Sequence, residues 1–232
     1  MKLPVCLSIC LLFTLPSAGA ETKCPDAELT LDHVIWAVPD LEKGIAFFSE
    51  QTGIQPVYGG EHSNGVTANF LVAVGACTYL EIVGPKPGGE LSGLGAGAGR
   101  YSSKNMAGFA LGLADANNAQ ALFQKAGIEA GALREGSRNK PDGSLVAWKS
   151  TSLPGEFGDH TFQFSIEWTA GVHPALTSPK GITLKRLILM GDRAYQYSEL
   201  VEQFGLPITI MAEGSRNIRL ELETPNGLLV LD

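Results

Sequence analysis

The sequence is short of charge, of basic charge in particular, and of cysteine. Only 18% of its 232 residues are charged, and 17 Lys and Arg face 24 Asp and Glu, a formal net charge of −7. That balance speaks against nucleic acid, anionic membranes and polyphosphates as partners. It excludes no small molecule. Beyond Leu15 no apolar run approaches the ~18 to 20 residues that a membrane-spanning helix needs. The motifs Gly-x-Ser-x-Gly, Cys-x-x-Cys and His-Glu-x-x-His are all missing, so serine-hydrolase, dithiol-redox and zincin chemistries have no support. What is present is a 44% hydrophobic share, enough for a packed core, with 28 glycines and 13 prolines that indicate many turns.

The first twenty residues have the form of a cleaved secretory signal: Lys2, an apolar run from Leu3 to Leu15, and Ala18-Gly19-Ala20 as a small-x-small cleavage site. A periplasmic or secreted protein is the expectation. Removing Lys2, Cys6 and Cys10 leaves 16 basic residues against 24 acidic ones, a charge of −8, and two of the four cysteines. Cys24 and Cys77 are therefore the one candidate disulfide, with two free thiols as the alternative. Glu21, Thr22 and Lys23 make Cys24 a poor acylation site, so no membrane attachment is expected after cleavage.

The mature chain repeats. LFQKAGIEAGALREGSRN at residues 122–139 and LVEQFGLPITIMAEGSRN at 200–217 share length and ending, and FSEQTGIQPVYGGEHS at 48–63 aligns with both through Gly53, Glu61 and Ser63. Read by period, the first copy is a strand at 31–38, a helix opened by Pro39-Asp40 and ended by Gly53, then strands at 56–58, 66–74 and 78–83. The second copy places a strand at 106–113, a helix at 115–126, and strands at 130–134, 145–150 and 161–168. The third places a strand at 182–190, a helix at 195–204, and strands at 207–211, 218–223 and 228–231, the last two joined through Asn226-Gly227 as a type I′ hairpin. The expected fold is α+β: tandem βαβββ units, three in number, forming mixed, cup-shaped sheets with helices outside. The boundaries are 1–20 signal, 21–30 N-terminal segment, 31–84 first unit, 85–104 Gly-rich linker or lid, 105–170 second unit, 171–181 linker and 182–232 third unit. The glycine-rich stretch from Gly84 to Gly99 lacks the Lys-Ser/Thr of a phosphate loop, and no nucleotide cofactor is expected.

Strict alternation over Thr161 to Thr169 divides an apolar face, Phe162, Phe164, Ile166 and Trp168, from a polar face that carries Glu167. The apolar face is expected on the helices and the polar face in the cleft. In a strand-helix-three-strand unit the first and last strands can be neighbours, which would set His33 beside Glu81 and Cys24 near Cys77.

These units, with LDHVIWAVPDLE opening the first, YLEIVGP closing it and FSIEW closing the second, resemble the vicinal oxygen chelate superfamily. GGEHSNGVTANFLVAVG and the later IEW and HP segments are similar to its glyoxalase-like group. The resemblance covers residues 31–174 directly and the rest through the repeat. It implies paired units folded into a cup around a divalent metal that chelates a substrate through adjacent oxygens. By position the implied ligands are His33, Glu81 and Glu167, while the usual second histidine falls near Ala107 or Gly108, which offer no donor. In the third unit the counterparts of His33 and Glu81 are about Lys185 and Asp232. One imidazole and two carboxylates with open positions would suit Zn, Mn or Fe; the alternative is a core histidine and carboxylates paired to arginine.

Other residues are weighed by the same pattern. His62 is a candidate acid-base residue and substitute fourth ligand, Glu167 a second catalytic candidate, and Asn69 a substrate donor. Arg138 and Lys140 could reach an anionic substrate, and His173 could close the cup, against the plainer readings of a charged hairpin tip and a loop histidine. His160 has the opposite parity to Glu167 and is discounted. Three functions stay open: a metal-dependent lyase, isomerase or ring-cleaving dioxygenase on a small oxygenated metabolite; a metal-free protein that binds or sequesters a ligand in the same cup; and a non-catalytic interaction module. The third unit could also pair two copies into a homodimer.

Overall fold

The computed structural model describes residues 24, 26–101, 104–140, 142–154 and 161–232; the leader at 1–20 and His160 lie outside them. The chain opens with β1 (Leu29–Ala37), α1 (Leu41–Thr52), β2 (Val57–Glu61), β3 (Thr67–Ala73) and β4 (Tyr79–Pro85). The start and stop signals of α1 act as the residues dictate. Asp40 caps it by accepting a hydrogen bond from the Lys43 amide at 3.0 Å, and Gly53 ends it in the left-handed region at φ 74°. Its Leu41, Ile45 and Phe48 recur at helical spacing and are buried.

The second unit has the same order: β5 (Asn105–Leu113), a 3₁₀ turn at Ala116–Asn118 running into α2 (Ala119–Lys125), then β6 (Leu133–Asn139), β7 (Leu145–Leu153) and β8 (Phe162–Ala170). The strand expected at 130–134 is displaced to Leu133–Asn139. Its residues are mostly exposed and polar, so hydrogen bonding to β7 defines it, and no apolar alternation marks it in advance. The linker at 85–104 is also more ordered than expected: Leu91–Tyr101 is a 3₁₀ helix packed on β4 and β5.

In both units the last strand lies parallel to the first: His33 pairs with Tyr79 and Ile35 with Glu81, as Gly108 pairs with Phe162. β1 and β5 then join antiparallel, giving one eight-stranded sheet in the order β2-β3-β4-β1-β5-β8-β7-β6. It curls until β2 and β6 touch, so that the position of a Gly60 side chain would meet Arg138.

A short helix, α3 (Pro174–Thr177), leads to β9 (Thr183–Met190), a 3₁₀ turn, α4 (Ser198–Phe204), β10 (Ile208–Met211), β11 (Asn217–Thr224) and β12 (Gly227–Leu231). The element order recurs, but the wiring differs. Here the first strand after the helix, β10, pairs parallel with β9, and the sheet runs β10-β9-β11-β12. The β11–β12 turn is centred one residue earlier than expected, on Pro225-Asn226. The fixed negative φ of proline forbids a type I′ turn there, and Gly227 follows at φ 111°.

The main core lies on the convex side, where Trp36, Phe48, Phe109 and Phe123 meet the helices and the four-stranded sheet, with Tyr197 edge-on to Phe109 at 5.5 Å. Burying each such side chain contributes roughly 1.5–3 kcal/mol. A smaller cluster of Ile35, Ala37, Val83, Tyr101 and Ala107 lines the concave side. Cys24 and Cys77 are bonded, which ties the N-terminal segment to the β3–β4 loop.

Candidate active site

The concave face of the first unit gathers most of the chemistry. β1 supplies two neighbours in sequence, Asp32 and His33, where alternation allows only one to face inward. A bulge between Leu31 and His33 in the pairing with β5 resolves this, because the two residues of a bulge can share a side. Asp32 Oδ1 lies 2.6 Å from His33 Nδ1, and Asp32 Oδ2 accepts from Trp168 Nε1 at 3.0 Å and from His173 Nε2 at 2.9 Å. The tautomer of His173 follows from its other nitrogen, which accepts the Ala175 amide at 3.2 Å. Asp32 is 3% exposed. Burial alone would raise its pKa, yet the hydrogen bonds of His173 and His33, and the positive charge of these rings when protonated, hold it at about 2.

β3 and β4 supply the opposite wall. Glu81 Oε1 accepts from Asn69 Nδ2 at 2.7 Å and faces His62 Nε2 at 3.2 Å, while Oε2 stands 3.7 Å from His33 Nε2. Burial again works against ionisation of Glu81. His62, His33 and Asn69 outweigh it and bring its pKa to about 2. His62 Nδ1 lies 2.8 Å from Thr67 Oγ1, and its ring is the part of the network most open to solvent. Tyr79 stacks on His33 at 4.6 Å and Phe164 meets it edge-on at 5.4 Å, fixing the imidazole plane. Burial, then the charges of Asp32 and Glu81, push the Tyr79 hydroxyl well above the ordinary tyrosine range, so it stays neutral.

The structure thus brings together His33, Glu81, His62 and Asn69 as the sequence led one to expect. It separates Glu167 from them. The aromatic side chains of β8 point into the cup and the polar ones away from it, the reverse of the expected orientation, and Glu167 Oε2 accepts from the Ala116 amide at 2.9 Å on the convex side. A sheet buried on both faces hides which face is which, and Gln163 and Ser165 are buried beside Glu167 under the second layer. His173 donates to Asp32 and meets the rings of Tyr79 and Trp168 edge-on at 5.9 and 5.7 Å. Asp32, Tyr79, Thr67 and Trp168 were not singled out, and only the bulge, invisible in the sequence, could have brought Asp32 to notice.

Removing Glu167 decides the fit of a divalent metal. His33 Nε2, Glu81 and His62 Nε2 remain as candidate donors, with Glu81 already engaged by Asn69 and His62, and across the sheet Ala107, Phe162 and Phe164 offer no further ligand. Among the described residues no group of three or more His, Cys, Asp or Glu is arranged so as to hold a metal ion. The donors present do not make the three-ligand arrangement that such a metal requires. In the third unit Lys185 is exposed and Asp232 pairs with Arg219.

Comparison with known proteins agrees with this architecture. A hypothetical protein from Staphylococcus aureus of known structure superposes with a TM-score of 0.56 at 16% identity, over 88% of this chain and 86% of that one. Methylmalonyl-CoA epimerases from Mycobacterium tuberculosis (TM-score 0.41, 16% identity, 60% and 87% coverage) and Streptomyces coelicolor (0.43, 19%, 63% and 99%) are more distant. No curated protein matches the chain. The family model for the glyoxalase-like domain matches residues 31–205, and the chain belongs to that family, within the vicinal oxygen chelate superfamily.

Proposed function

We propose that this protein is an exported enzyme that moves a proton on a small oxygenated metabolite, as an isomerase or lyase does, with His33 as the base. The observation that carries the reading is the placement of one imidazole between two ionised carboxylates: Asp32 at 2.6 Å on Nδ1 and Glu81 at 3.7 Å from Nε2. In the neutral form of His33, Asp32 would hold the ring proton on Nδ1 and leave the Nε2 lone pair facing the gap. A substrate O–H or activated C–H in that gap gives its proton to Nε2. The imidazolium so formed is stabilised by Asp32 on one side and Glu81 on the other, a contribution of order 10² to 10⁴ in rate. Asn69 and His62 keep Glu81 ionised and oriented, and His62, the more exposed ring, is the route by which the proton reaches water. The donor set favours this chemistry over the metal-dependent reactions that the superfamily resemblance implied.

The signal-like leader and the Cys24–Cys77 bond support a periplasmic or secreted location. The test is proton exchange. Protein treated with a chelator is incubated in D₂O with a panel of small 2-oxo and 2-hydroxy compounds, and deuterium incorporation is followed by NMR. Exchange that survives chelation supports the reading; exchange restored only by Mn²⁺ or Zn²⁺ overturns it in favour of a metal enzyme.

A further inference from the structure

Where the two edges of the curled sheet meet, Arg138 on β6 reaches across to β2. Its Nη1 lies 3.1 Å from the point where a Cβ on Gly60 would be, and Gly60 adopts φ 128°, so a residue with a side chain there would be both strained and in the way. Nη1 is buried and has no hydrogen-bond partner, although a guanidinium nitrogen left unpaired out of water is costly. Among the described residues no ion pair holds Arg138. The acidic residue nearest in the chain on β2, Glu61, is taken by Lys86. Arg138 borders a cavity of about 410 Å³ together with Tyr58, Ser63, Ser137, Lys140, whose Nζ donates to the Val172 carbonyl, and Glu61, whose charge Lys86 offsets. Its charge is also felt inside the cup, where it opposes the upward shift of the Tyr79 hydroxyl beside His33.

We propose that Arg138 is the anchor for a terminal carboxylate of the substrate, which makes the substrate class small carboxylic acids with an oxygen function, not neutral carbonyl compounds. When the guanidinium turns toward the cavity it borders, a carboxylate there supplies the acceptor that Nη1 lacks. The substrate's carboxylate sits at the seam between β2 and β6, and its reacting oxygen function extends toward His33 and Glu81. The inference rests on the proton-transfer reading for the second contact only; carboxylate binding stands apart from it.

The experiment is a thermal-shift and calorimetric titration with pyruvate, 2-oxoglutarate, the neutral analogue pyruvamide and inorganic phosphate. At least one of the two oxo acids should stabilise the protein, by an amount that shrinks as salt is added, and pyruvamide should not. Arg138→Met should weaken oxo-acid binding about 10- to 100-fold, the worth of a charge-assisted hydrogen bond, while the free variant melts no lower than the wild type. His33→Asn should keep the carboxylate-dependent shift, so loss of exchange with binding intact tests the catalytic reading alone. Equal shifts with pyruvamide, a response to phosphate alone, no shift with any probe, wild-type affinity in Arg138→Met, or a lower melting temperature of the free variant would each overturn the assignment.

Discussion

The two halves of the eight-stranded sheet are wired alike and equipped differently. In the first half β1, β3 and β4 present Asp32, His33, Asn69 and Glu81 to the cup; in the second half β5 and β8 present Ala107, Phe162 and Phe164. Strand pairing is a backbone property that either set of side chains satisfies, so one half can keep chemistry while the other becomes an apolar wall. The wall still has a function. Phe164 stiffens His33, and Trp168 donates to Asp32. The proposed proton transfer would therefore draw on both halves, although the titratable groups of the cup come almost wholly from one.

The asymmetry can be broken in stages. The largest effect is expected for His33→Asn, which should lower exchange by about 10² to 10⁴ at saturating substrate, while the variant stays folded with a lower melting temperature because Asp32 and Glu81 lose a partner; an unchanged rate would move the base elsewhere. Next is the covalent tie, which clamps only the first half. Replacing Cys24 and Cys77 by Ala opens a link spanning 53 residues and should cost about 4 kcal/mol in urea unfolding. Hydrogen exchange should rise first in β3 and β4, and an equal rise in β7 and β8 would contradict the picture.

Acid should act on the same half. Asp32 and Glu81 both have folded-state pKa values depressed to about 2. Their contribution is therefore complete above the unfolded carboxyl pKa of about 4, and is lost as pH falls from there through about 2. Each is worth roughly 2–3 kcal/mol. Asp32→Asn and Glu81→Gln should each flatten the stability profile between about pH 4.5 and pH 2, which chemical denaturation at stepped pH would measure. The smallest effect is expected for Glu167→Gln. Its link to the Ala116 amide is a single hydrogen bond, worth about 1 kcal/mol, and the exchange rate should not move. A large loss of rate in this variant would return Glu167 to the site.

Particular residues show what could be read in advance. The helix at Leu41–Thr52 was legible because Asp40, the apolar spacing and Gly53 act locally, and His33 beside Glu81 was legible once the first and last strands of the unit were taken as neighbours. β6 was misplaced because an exposed edge strand has no apolar period to read. Asp32 was missed and Glu167 misassigned for related reasons: a one-residue bulge reverses the alternation of β1, and alternation along β8 sorts side chains into two sets without naming the inner one.

By itself the sequence determined the class of fold and the capped helix, and it offered Cys24 with Cys77 as a candidate bridge and His33, Glu81, His62 and Asn69 as candidate site residues, because each of these readings depends on short-range chemistry or on the order of elements in a unit. The tertiary structure alone decided which face of β8 looks inward, that Asp32 joins His33, and that Arg138 meets Gly60 across the seam. Those outcomes depend on how a curled sheet closes between two layers, and contacts between residues dozens of positions apart decide that.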